Sequence, residues 1–93
     1  MLFVITHQHS TENCMADNPA PLQKLLSEAH VKESGVRVVG DYLSPPEHTL
    51  FLVVEATEYA QVVRFLRPII TIGEHDIVPV LPIAEAIGTL AKG

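Results

Sequence analysis

HTLFLVVE, residues 48–55, is apolar on both faces that an extended chain presents: Leu50, Leu52 and Val54 on one, Phe51 and Val53 on the other. Strand side chains alternate with period two, so a strand with one solvated face alternates apolar with polar residues. This one does not. LFVIT, residues 2–6, repeats the pattern, with Phe3 and Ile5 set against Leu2 and Val4. Two such strands call for a sheet that is covered on both sides.

The neighbouring segments supply the rest of the fold. The turn Ser44-Pro45-Pro46-Glu47 separates 48–55 from a second strand, Val36 to Leu43. Upstream, Leu22, Leu25, Leu26 and Ala29 recur at helical spacing behind Pro19, Pro21 and the cap candidates Asp17 and Asn18. Ser34-Gly35 stops that helix, since glycine adopts the left-handed C-cap conformation at little cost. Downstream, Thr57 is placed to cap a second helix with Tyr59, Val62, Val63 and Leu66 as its apolar face. Pro68 ends it, and Gly73 leads into a fourth strand from Glu74 to Leu81. Pro82 starts a short C-terminal helix or arm.

The predicted order is β-α-β-β-α-β, the split pattern of the ferredoxin-like fold, of α+β class with a four-stranded antiparallel sheet. Its strand order would be 4-1-3-2. Pro79 cannot donate to a ladder and so belongs on an edge strand, which the fourth is; the most apolar strands, the first and third, are central. Helices cover one face only. The other is expected to be buried against a second copy of the chain about a two-fold axis. In element order and length, over nearly the whole chain, the protein resembles the dimeric α/β-barrel superfamily, whose small chains pair sheet to sheet. That resemblance implies a homodimer. It also implies a choice among cofactor-independent monooxygenases, muconolactone isomerases, haem-handling proteins and regulatory ligand-binding domains.

Composition bounds the partners. Ninety-three residues make one domain, 1–93, and 47% of them are hydrophobic. A net charge of -5 with six basic residues argues against nucleic acid and anionic membranes, and Arg64 and Arg67 sit on a helix instead of forming a patch. The single cysteine suits a reducing cytoplasm, and neither a signal peptide nor a membrane span is expected.

The chemistry gathers at one end of the predicted sheet. His7 and His9 at the end of strand one, Tyr42 near the end of strand two, Glu47 and His48 before strand three, and Glu74 and His75 at the start of strand four all lie there. Cys14 hangs on the adjoining polar loop, Ser10 to Asn18, and His30 is the one histidine elsewhere. Imidazole and thiolate are the ligands that Zn, Ni, Cu and Fe prefer. His7, His9, Cys14, His48 and His75 are therefore candidate ligands of a transition-metal ion. Tyr42, Glu47 and Glu74 are candidates to orient them or to move protons. Chemically the set resembles the His-x-His-plus-Cys site in the regulatory domain of the nickel-responsive repressor. The expected function is a small metal-binding protein: a metalloenzyme, a carrier or a sensor. The alternatives are a cofactor-free monooxygenase or isomerase of the dimeric α/β-barrel type, and a non-catalytic ligand-binding or assembly module.

Overall fold

The apolar run at the start of the chain forms strand β1, Leu2–Gln8, one residue pair longer than its hydrophobic stretch. The added residues, His7 and Gln8, stay in the ladder because both neighbours pair with them: His7 stands opposite Leu50 and His75, Gln8 opposite Thr49 and Glu74. Structure is described for residues 1–12, 15 and 18–92 of the chain, in a computed structural model. Strand β2 is Arg37–Ser44, β3 Thr49–Glu55 and β4 Glu74–Val80. All pairings are antiparallel, and the order across the sheet is β2-β3-β1-β4, the expected succession counted from the other edge. Pro79 accordingly lies on an edge strand.

One long helix was expected between β1 and β2; two short ones are found, α1 (Ala20–Leu25) and α2 (Glu28–Ser34). The break has a local cause. Ser27 is extended, and its hydroxyl accepts the amide of His30, so it caps a new helix where the Leu periodicity alone would continue the old one. Gly35, with φ of 81°, ends α2 in the left-handed conformation. Helix α3 is Tyr59–Leu66, continued by a 3-10 turn over Arg67–Ile69. Thr57 contributes at its start, but Gln61 does the capping: its side-chain oxygen accepts the amides of Thr57 and Glu58 and the Thr57 hydroxyl. The buried face of α3 is Val62, Phe65 and Leu66, while the anticipated Tyr59 and Val63 are exposed.

Between these helices and the sheet lies the core: Phe3, Ile5, Leu25, Val36, Leu50, Leu52, Val54, Val62, Phe65, Leu66 and Ile69 among others. The opposite sheet face is open. Val78 is about half exposed, and Phe51 and Tyr42 lie on that face too, 40% and 65% exposed. Helix α4, Ile83–Lys92, leaves Ile83, Ile87 and Leu90 in solvent, at the i, i+4, i+7 spacing of one helical face. Among the described residues no helix is long and apolar enough to cross a membrane.

Candidate functional site: a buried histidine cluster

Residues opposite one another in a ladder share a face. Phe3 and Ile5, both in the core, are followed on the same face of β1 by His7, which is opposite Leu50 on one side and His75 on the other. His9 continues the alternation just past the strand and is anchored there by its amide, which donates to the carbonyl of His48. His48 closes the 3-10 turn Pro45–Glu47 in the left-handed conformation, φ 50°, the only non-glycine residue among those described with a positive φ. Four imidazoles from three segments therefore meet under the helices, at the end of the sheet where the core runs out of aliphatic residues.

The rings form a run. Centroids are 5.4 Å apart for His48 and His9, 5.4 Å for His9 and His7, and 4.6 Å for His7 and His75. His7 is fully buried and His9 is 7% exposed. His7 donates its Nε2 proton to the carbonyl of Ile72, 2.5 Å away, which fixes the tautomer and leaves Nδ1 with a lone pair. Among the described residues that Nδ1 has no hydrogen-bond partner, and neither have the two ring nitrogens of His9, Nδ1 of His48 and Nε2 of His75, all of them buried. A buried polar group left unpaired costs about 1–3 kcal/mol. Five such atoms lie together here.

The electrostatics follow from the crowding. Burial pushes the His9 imidazole below its ordinary pKa, and repulsion from His7 and His48 adds to the effect. His75 is lowered likewise, by burial first and by His7 second. Both are held as neutral bases, the form that binds a metal or accepts a proton.

The supporting backbone is tight. Gly73 has φ of 68°, and a Cβ there would lie 2.2 Å from the carbonyl oxygen of Gln8 and 3.0 Å from the Cα of His9. Only a glycine lets the approach to β4 pass so close beneath the histidine segment. Beside the cluster, His9 and His48 reach a cavity of about 200 Å³ whose other walls are Met15, Pro19, Leu22, Leu43 and Pro45.

The chain matches, over residues 1–93, the family model described as a domain of unknown function, DUF3303. It belongs to that family. Among curated proteins, no match to this DUF3303 chain is found. Of the site residues expected in this DUF3303 domain, the fold gathers His7, His9, His48 and His75; Cys14 lies outside the described residues. Tyr42 is opposite Phe51, on the open face, and so stands across the sheet from the cluster. Glu74 precedes His75 in β4 and takes the open face by alternation, and Glu47 is exposed in its turn. Among the described residues, no three His, Cys, Asp or Glu side chains yet converge as a ready ligand set. Ile72 and Met15 were not singled out from sequence, and Gly73 only as the lead into the fourth strand; a backbone carbonyl, a cavity wall and a close approach leave no signature in a single chain.

Proposed function

We propose that this chain is a small transition-metal-binding protein whose ion is held by imidazoles drawn from His7, His9, His48 and His75. The observation that carries the reading is the set of five buried, unpartnered ring nitrogens on rings 4.6–5.4 Å apart. Two imidazoles on one ion, bound through nitrogens about 2 Å from it, have centroids roughly 5 Å apart. An ion would satisfy lone pairs that the protein leaves bare. The Ile72 carbonyl behind His7 is the kind of partner that orients a metal-bound imidazole. Rotation of the neighbouring rings, or the thiolate of Cys14 in a reducing cytoplasm, completes the ligand set. The apolar cavity beside His9 and His48 leaves a coordination position for a small molecule. Zn, Ni, Cu and Fe all suit these donors.

The proposal includes a ferredoxin-like chain of the dimeric α/β-barrel type, paired through the open sheet face. The exposure of Phe51, Tyr42 and Val78 on that face supports it. Elemental analysis of tag-free protein, with sedimentation on the same sample, is the test. Stoichiometric metal that is lost in the His7→Ala/His9→Ala double variant, on a dimer that Phe51→Asp splits, is the expected result. A metal-free wild type after growth in metal-replete medium overturns the metal reading, and a monomer at micromolar concentration overturns the pairing.

The cavity favours a second reading: a cofactor-free oxygenase or isomerase in which neutral His9 removes a proton from an apolar substrate. Metal-free protein that retains an aromatic molecule, released on His9→Phe, decides for this one.

A further inference from the structure

A second cleft lies away from the histidine cluster. It measures about 460 Å³ and is lined by Lys24, His30, Glu33, Ser34, Arg64, Arg67 and Pro68. Its cations come from three elements: Lys24 from the last turn of α1, Arg64 from the last turn of α3, and Arg67 from the turn that follows. Half of the six basic residues of a chain with net charge -5 thus border one cavity. The expectation that Arg64 and Arg67 form no patch is corrected here, because folding brings Lys24 to them. Among the described residues the one ion pair is Arg37 with Glu55, away from this cleft, and among those residues Lys24, Arg64 and Arg67 form no salt bridge.

The walls are set for a ligand of that charge. His30 donates Nε2–H to the carbonyl of Phe65 at 2.7 Å, stacks on the Phe65 ring and is thereby held as a rigid side of the cleft. Ser34 is buried and donates its hydroxyl to the His30 carbonyl at 2.8 Å, which locks the same corner. Glu33 adds one acceptor among the cations and suits a ligand that carries a hydroxyl as well as negative charge. Two guanidinium forks and an ammonium around one small cavity match an oxyanion of two charges better than a single carboxylate.

We propose that this cleft binds a compact phosphate monoester, the phosphate between Lys24, Arg64 and Arg67 and the hydroxylated remainder against Glu33 and His30. The proposal is independent of the metal reading and requires no chemistry at the histidine cluster. It is tested by calorimetric and NMR titration of the full chain with glycerol 3-phosphate, inorganic phosphate and succinate at matched ionic strength. Saturable one-to-one binding of glycerol 3-phosphate is expected, tighter than succinate. Arg64→Ala with Arg67→Ala should weaken it at least tenfold, and Arg37→Ala should leave it unchanged. All three arginines are exposed, and circular dichroism checks that each variant folds. The His7→Ala/His9→Ala variant should bind as the wild type does. Absence of saturation, equal weakening in Arg37→Ala, or succinate binding as tightly as the phosphate overturns the proposal; equal affinity for inorganic phosphate overturns the role given to Glu33 and His30.

Discussion

The helix-covered face of β1 carries Phe3 and Ile5 toward one end and His7 at the other, all of them at most 4% exposed. At the Phe3 end the interior is ordinary: apolar groups pack on Leu52, Val54 and the helices, and among the described residues no buried side-chain nitrogen or oxygen there lacks a partner. At the His7 end, His7 is as deeply buried, with His9 close behind and His48 and His75 half-buried beside them, and among the described residues five of the cluster's ring nitrogens have no partner. Equal burial therefore has opposite meanings along one strand. The first half contributes to stability by removing apolar surface from water. The second half gives stability away, which is expected where a ligand or a proton is to be received.

Three substitutions or conditions break this comparison or sharpen it. The largest effect belongs to the aliphatic end: Ile5→Ala, at a fully buried position, should lower unfolding stability by about 3 kcal/mol in urea denaturation. A loss under about 1 kcal/mol would show that the two halves do not differ as described.

Acid should act on the histidine end through His9 and His75. The lowered pKa values of His9 and His75 mean that the unfolded chain binds protons more readily than the folded one. Their effect on stability is absent well above the ordinary histidine value near 6.5 and grows as pH falls below it. Thermal melts of the metal-free protein should therefore drop between about pH 7 and 5.5, within the usual histidine range. In His9→Phe the drop should be smaller; an equal drop in the two proteins would place the titration elsewhere.

The smallest effect, and the most diagnostic, is the stability of His9→Phe itself at pH 7.5. Removing two unpaired buried nitrogens for an apolar ring of similar shape should leave the fold unchanged or more stable, by up to about 1 kcal/mol. Destabilisation by more than about 2 kcal/mol would show that these nitrogens are satisfied in solution.

Most of the architecture is legible in the sequence because it rests on period-two and helical spacing. Both central strands, the edge position of Pro79 and the meeting of four histidines follow from alternation and strand order alone. What could not be read is local. Ser27 splits the first helix through a single side-chain bond that competes with an unbroken Leu pattern. Tyr42, whose face the linear pattern does not give, is the more instructive case. Val38 is opposite Val54 but Gly40 is opposite Val53, so one residue is inserted in β2 near Val39. Without that bulge Tyr42 would share the face of Val38 and the core; with it, the ring turns to the open side and lies across Gly40, where a Cβ would come within 2.8 Å of it. Register irregularities of this kind are set by the partner strand, which a linear pattern does not contain.

The pairing of His7 with His75 has a consequence for how the site comes into being. Its rings are supplied by the first strand, the turn before the third and the last strand, so no local stretch of chain can rehearse it. On a ribosome, β1 is made early and waits through α1, α2, β2, β3 and α3 before β4 closes beside it. Joining such distant segments is the slow part of assembling a sheet. A molecule whose histidines are together has therefore closed its sheet, and occupancy of the site by any ion or substrate would report on chains in which β4 has paired and pass over those in which it has not.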